Sequence, residues 1–148
     1  MFKHLKLKII TPERLVLEED VNQVSLPTTV GEITVLPEHI PLISEITSGD
    51  IVSLVGGEYI PFAVAGGFVE VKKNENNITE VAVLADFAEH VSEISDEVIK
   101  KAKAQAEELR QQAANKEIVD FEHFETELER SLTRVKIADK WRSKKYRK

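Results

Sequence analysis

From Leu5 to about Leu84 the apolar residues recur with a period of two. Leu5, Leu7 and Ile9 alternate with Lys6 and Lys8, which predicts a strand with one buried and one wet face. Leu15 and Leu17 open a second strand, and residues 21–26 form a third. Residues 51–55 end at Gly56-Gly57, a hairpin turn into a strand over 59–64. Phe68, Val69 and Val71 run to the polar turn Lys73-Asn74-Glu75-Asn76-Asn77, and residues 78–84 return. Short strands broken this often by Gly, Pro and Asn predict an antiparallel β-sandwich or flattened barrel. Glu18-Glu19-Asp20 reads as a solvated turn between two of them.

Near Asp86 the period lengthens to that of a helix. Ile94, Val98, Ala102, Ala106, Leu109 and Ala113 form one stripe, with Ser95 as N-cap and Asp96 and Glu97 in the first turn. Asn115-Lys116-Glu117 predicts a turn. Asp120 then caps a second helix whose apolar side is Phe121, Phe124, Leu128, Leu132 and Val135. The first stripe is rich in alanine, so the helices approach closely while each contact buries little apolar area. The expectation is an α+β chain: an N-terminal antiparallel β-sandwich or flattened barrel over 1–87, then a C-terminal two-helix hairpin over 88–148. The hairpin is expected to pack largely on itself and to leave the β domain at low cost.

Composition adds bounds. The 148 residues suffice for one ordinary domain or a small one with an appendage, and 42% hydrophobic with 31% charged residues is a globular composition. With no cysteine there is neither a disulfide frame nor a thiolate site. Met1-Phe2-Lys3-His4 leads straight into a strand without a signal-peptide core, so export is not expected. The uncharged run 59–69 is too short to span a bilayer and contains Pro61 and two glycines.

Charge is unevenly placed. Residues 130–148 carry nine Lys or Arg against the single Asp139, a local +8, while the whole chain carries −6; the preceding residues therefore carry −14. Arg130, Arg134, Lys136, Lys140, Arg142, Lys144 and Lys145 make up most of this arm, around Trp141 and Tyr146. Such an arm meets something acidic, either its own body or a partner. Four readings compete. A solvated helix end complementing the dipole accounts for some of the charge but not +8. Nucleic acid would want the remaining surface basic, and it is acidic. A membrane surface would want more large apolar residues beside Trp141. A protein with an acidic face fits best.

No catalytic or metal constellation emerges, and no cofactor is expected. His4, His39, His90 and His123 lie in different elements without ligand spacing, and the serines lack nucleophile-elbow glycines. Glu38-His39 reads as a surface or interface pair. Gly66-Gly67 inside a strand marks either a bulge with close sheet approach or room for a partner.

One stretch organises the chain. In residues 31–42, Gly31 permits a tight turn, Ile33 and Val35 make a short strand, and Pro37 and Pro41 give it a stiff exit displaying Glu38 and His39. This stretch resembles the G-E-(I/L)-G-(I/V)-L-P-x-H-x-P-L signature of the epsilon subunit of F-type ATP synthase, with Thr34 where a glycine and Glu38 where a small residue is usual. Ile10-Thr11-Pro12-Glu13-Arg14, Ala65-Gly66-Gly67-Phe68-Val69-Glu70-Val71 and Val83-Leu84-Ala85-Asp86 resemble further segments of that family in the same order. The resemblance implies a non-catalytic rotor subunit at the cytoplasmic face of a bacterial membrane, peripheral to it. Its implied partners are the gamma subunit, the c ring and the catalytic beta subunits with alpha. Thr11 and His39 match positions facing gamma, Glu32 a position near the c ring, and Glu38 adjoins them. The helices imply a brake on ATP hydrolysis, strengthened by the basic arm. Some relatives bind ATP through I/L-D-x-x-R-A; here Asp96 fills the acid position but Ile99 falls on the arginine. The alternative is a free-standing β-sandwich adaptor whose basic helical arm grips an acidic protein.

Overall fold

A computed structural model describes residues 3–114 and 121–147. The turn expected at Asn115-Lys116-Glu117, the cap at Asp120, the side chains of Ala113 and Phe121, and Lys148 lie outside the described residues.

Alternation produces strands as expected. They are β1 (Leu5–Ile10), β2 (Leu15–Val21), β3 (Gln23–Thr28), β4 (Gly31–Val35), β5 (Leu42–Ile46), β6 (Gly49–Val55), β7 (Glu58–Val64), β8 (Gly67–Lys73), β9 (Thr79–Ala85) and β10 (Ala88–His90). They form one sheet in the order β10-β7-β6-β3-β5-β8-β9-β1-β2, with β4 attached to β3. The sheet folds over a core of inward residues such as Leu5, Leu7, Ile9, Val24, Leu26, Ile51, Val69 and Val83. Glu18, Glu19 and Asp20 belong to β2 instead of a turn, because their backbones pair with β1. The sheet also continues past Phe87: β10 pairs with β7 from Ala88↔Val64 to His90↔Phe62.

One pairing departs from the antiparallel expectation. β1 lies parallel to β9, with Lys6 opposite Glu80 and Ile10 opposite Leu84. Period-two alternation reports which face a residue takes and is blind to strand direction.

The turns follow their chemistry. Gly56 and Gly57 take φ +57° and +83° between β6 and β7. Asn74 Oδ1 accepts from the amides of Asn76 (2.9 Å) and Ile78 (3.1 Å), closing the β8–β9 turn. Gly67 resolves the question of the glycine pair: φ is +129°, and a Cβ there would collide with the Leu84 carbonyl oxygen and lie 2.8 Å from Ala85 Cα. Close approach of β9 requires the missing side chain.

A 3₁₀ turn (Val91–Glu93) leads to α1 (Asp96–Ala114), and α2 (Phe121–Trp141) follows. Ser95 caps α1 as expected, its Oγ accepting from the Val98 amide at 3.3 Å. Ala102 and Ala106 are buried against α2, where Ser131 Oγ donates to Gln105 Oε1 (3.2 Å) and Gln105 Nε2 donates to Glu127 (3.1 Å).

The buried side of α2 differs from the expected stripe. Leu132 is 39% exposed, whereas Ile137, Ala138 and Trp141 are buried with Ala63, Val91, Ile94 and Ile99. The helix pair therefore packs on β7 and the 3₁₀ turn as well as on itself. Its last two turns carry the apolar side that the first stripe lacks.

Candidate interface surfaces

Two surfaces carry the chemistry. The first begins at the loop after β4. Glu38 adopts φ +71°, and its amide donates to Thr79 Oγ1 at 2.8 Å. The Lys73 ammonium, 2.5 Å away, holds the Glu38 carboxyl below the ordinary glutamate range. His39 Nδ1–H donates to the Ile40 carbonyl at 2.6 Å, and the His39 amide to the Leu36 carbonyl at 3.1 Å. The two prolines and these bonds give the loop a set shape, with Leu36 and Ile40 52% and 73% exposed.

The structure does not gather the sequence-predicted residues into one site. Glu38 and His39 stand at the Lys73–Thr79 end of the β8–β9 ladder, while Thr11 follows Ile10, which pairs with Leu84 at the other end. At about 3.3 Å per residue, that separates them by roughly 20 Å. Thr11 is nearly buried, its Oγ1 donating to the Arg14 carbonyl and accepting from the Arg14 amide, so it shapes the β1–β2 turn. Glu32 is exposed on β4, opposite Pro27.

Across the strands at the Thr11 end runs an apolar row that sequence reasoning missed. On the outer face Phe68 stands opposite Leu84, Leu84 opposite Ile10, and Ile10 opposite Leu15, crossing four strands. Phe68 and Leu84 are each 57% exposed, and Ile43 on the same face of neighbouring β5 is 72% exposed. The signal was present as doublets, Ile9-Ile10, Leu42-Ile43, Phe68-Val69 and Val83-Leu84, each placing one apolar residue inward and the next outward. A contiguous bare row of this kind marks an interaction surface.

The second surface is the basic arm, which meets its own body. Lys140 Nζ (2.8 Å) and Trp141 Nε1–H (2.9 Å) both reach Asp50 Oδ2. Arg134 Nε donates to Glu89 at 2.9 Å and its guanidinium lies 4.7 Å from the Phe87 ring centre. Arg130 donates to the Asp86 carbonyl at 3.1 Å, and Arg147 pairs with Glu19 at 2.9 Å while its amide donates to the Tyr59 carbonyl at 2.7 Å. Arg142 is exposed and lies 3.7 Å from Asp139 and 3.9 Å from Asp96. Lys144 is 5.3 Å from the Trp141 ring, and Lys145 borders an open groove with Tyr59 and Tyr146. Lys136 lines a smaller groove of about 320 Å³ between α2 and Ser48-Gly49, where Ser48 Oγ donates to Glu129.

His90 joins the arm to the body. Its ring lies edge-on to Phe62 at 5.1 Å and 6.1 Å from Tyr146, and Nδ1 accepts from the Ser92 amide at 2.9 Å. Burial pushes its pKa below the ordinary histidine value, against the opposing pull of a hydrogen bond to the Arg147 backbone.

Among the described residues no group of three or more His, Cys, Asp or Glu is placed to hold a metal ion. Ile99, at the arginine position of the ATP motif, is buried in the apolar cluster with Trp141, and the Asp96 side chain is 93% exposed. Among the described residues no helix is long and apolar enough to cross a membrane.

Residues 4–91 match the family model described as ATP synthase, Delta/Epsilon chain, beta-sandwich domain. An ATP synthase epsilon chain of Desulforamulus reducens is 37% identical over 139 residues, covering 94% of this chain and all of the relative. The chain belongs to the ATP synthase epsilon chain family. An epsilon chain of Halalkalibacterium halodurans is 39% identical over 134 residues, covering 90% of this chain and 96% of that one. In fold, the chain is similar to one in the Euglena gracilis mitochondrial ATP synthase structure, with TM-score 0.61 and 21% identity over 95% of this chain and 80% of that chain. Family membership accounts for the order of the motifs along the sequence: the signature at 31–42 builds β4 and the stiff loop, and the glycine pair opens β8.

Proposed function

We propose that this chain is a non-catalytic central-stalk subunit that couples rotation of an ATP synthase to its c ring and restrains ATP hydrolysis through its C-terminal helices. The row from Phe68 through Leu84 and Ile10 to Leu15, with exposed Ile43 nearby on β5, carries the reading. It offers the gamma subunit an apolar row on rigid strands beside the Thr11 turn, while Glu38 and His39 stand at the far end of the same strands. Glu32 is the expected contact near the c ring. Rigid docking of this kind transmits torque without a reaction step, which suits a face whose anchors sit on paired strands. Such a subunit is peripheral to the cytoplasmic face of the bacterial membrane and is held there by its partners.

The helix pair supplies the restraint. Released from the body, α2 offers its cations to an acidic face of the catalytic beta subunits, with alpha beside them, and blocks rotation in the hydrolysis direction. The test is truncation after Ile94, which keeps β10 and the 3₁₀ turn in place. The expected outcome is a reconstituted complex that still couples synthesis to rotation while its ATP hydrolysis rises. Unchanged hydrolysis removes the inhibitory role; loss of co-purification with gamma and c subunits by the intact chain removes the rotor role and leaves the adaptor reading.

A further inference from the structure

The loop between β4 and β5 turns on a residue that resists turning. The His39 amide donates to the Leu36 carbonyl at 3.1 Å, closing a four-residue turn with Pro37 in the second place and Glu38 in the third. Glu38 stands there at φ +71°. Proline second and a left-handed residue third is the type II pattern, whose third place favours glycine or asparagine because a Cβ is crowded in that conformation. A glutamate keeps such a backbone only where its surroundings over-determine it.

One cross-strand pair supplies that determination. Lys73 on β8 stands opposite Thr79 on β9, the last rung before the turn that Asn74 closes. The Glu38 amide donates to Thr79 Oγ1 at 2.8 Å, and the Lys73 ammonium holds the Glu38 carboxylate at 2.5 Å. Thr79 is 2% exposed, so its hydroxyl is an acceptor fixed in the body. Backbone and side chain of Glu38 are therefore tied to the same rung.

What the turn displays is apolar. Leu36 precedes Pro37, Ile40 follows His39, and both side chains are more than half exposed. The Glu38 carboxylate and His39 Nδ1 are already engaged within the chain. Five residues of β8 separate Lys73 from Phe68, about 17 Å. An interface of standard size covers about 800 Å² on each partner, a patch roughly 30 Å across, so one partner can span the Phe68 row and this turn together.

We infer that Glu38 is a positioning residue: latched to the Lys73–Thr79 rung, it holds Leu36 and Ile40 as a second apolar anchor for the gamma subunit and does not make the contact itself. The identity of the partner rests on the proposed docking; the latch rests on this chain alone.

The test separates the carboxylate from the shape it maintains. Glu38→Ala removes the carboxylate and keeps the Cβ that disfavours the turn, whereas Glu38→Gly removes both and lets the turn close without a latch. Each full-length variant is titrated with gamma by calorimetry, and amide exchange is followed at His39. Glu38→Ala and Lys73→Met should each speed His39 exchange and weaken gamma binding by about fivefold, the upper end for an exposed ion pair. A turn competent for about a fifth of the time binds with about a fifth of the affinity. Glu38→Gly should stay within about twofold of wild type in both readouts, and adding Lys73→Met to it should change nothing further. Thr79→Val strips the Glu38 amide of its acceptor and should weaken binding roughly tenfold or more, with exchange in β1 at wild-type rates to show that the body is folded. If Glu38→Gly loses as much affinity as Glu38→Ala, the carboxylate is itself the contact and the inference is overturned. Undiminished affinity in Glu38→Ala and Lys73→Met overturns the second anchor. A wild-type chain that fails to bind gamma removes the proposed docking instead, and His39 exchange still decides the latch.

Discussion

Two regions of the sheet's outer face are finished in opposite ways. Across β8, β9, β1 and β2 the outer face carries Phe68, Leu84, Ile10 and Leu15, with nothing of this chain over them. Across β6, β7 and β10 it carries Asp50, Ala63 and Glu89, and α2 covers them. The first region carries an apolar row beside ion pairs such as Lys8–Glu80 and Lys6–Glu18, the mixture of apolar centre and polar surround common to protein interfaces. The covered face mixes one small apolar contact with sheltered charges, and charged contacts discriminate between competing partners better than greasy ones do. On the proposed function, a rigid grip and an exchangeable one occupy neighbouring regions of a single body.

The largest expected effect comes from charging the bare face. Phe68→Asp with Leu84→Asp places two acids opposite each other where the proposed partner needs apolar area. Each side chain is more than half exposed, so thermal stability of the isolated chain should change by under about 1 kcal/mol. Affinity for the gamma subunit, read by calorimetric titration, should fall by at least roughly 30-fold, the loss of one central anchor. Undiminished affinity would show that the partner docks elsewhere.

The covered face should yield next. Trp141→Ala removes a 5%-exposed ring together with its bond to Asp50. Truncating a buried aromatic costs about 3–5 kcal/mol, most of it here at the seam between α2 and the body. Limited proteolysis should then cleave within α2 while the β body survives intact. Leu132→Ala is the matched control, since that residue is 39% exposed and should change little. Equal protection of α2 in both variants would mean that Trp141 does not hold the helix pair.

Much of this architecture was legible in the sequence because its signals are local. Alternation located the strands, Gly56-Gly57 and Asn74 marked hairpins, and Ser95 announced α1. What escaped depends on register across the sheet. The parallel β1–β9 pair joins residues more than 70 positions apart, and no periodicity reports direction. The doublets Phe68-Val69 and Val83-Leu84 break alternation visibly, yet their alignment into one row exists only after the strands pair. Asp50, Ala63 and Glu89 are ordinary surface-type residues until three strands bring them side by side. The basic arm predicts an acidic counterpart, and within the chain Asp50, Glu89 and Glu19 meet it. The alanine stripe of α1 predicts a loosely held helix pair, while Ile137, Ala138 and Trp141 at the end of α2 add apolar contact with the body.

The smallest expected effect concerns protons at the edge of the covered face. His90 holds its neutral form because burial disfavours the charged ring, and its Nδ1 is already accepting from Ser92. Facing it are Phe62 from β7, Glu93 from the 3₁₀ turn, and Tyr146 and Arg147 from the segment after α2. Glu93 favours the proton and the Arg147 charge opposes it. When α2 and the following segment leave, the ring loses Tyr146 and regains water, so its pKa returns toward the ordinary value near 6.5. The undocked form therefore binds the proton more readily. Docking is at full strength above about pH 6.5 and weakens as pH falls from there through the lowered docked pKa. Trp141 emission in the full-length chain should shift red over that window. His90→Asn keeps an acceptor for the Ser92 amide but cannot titrate, so its emission should be flatter across the same range. An identical pH profile in the two proteins would remove His90 from the seam's response to acid.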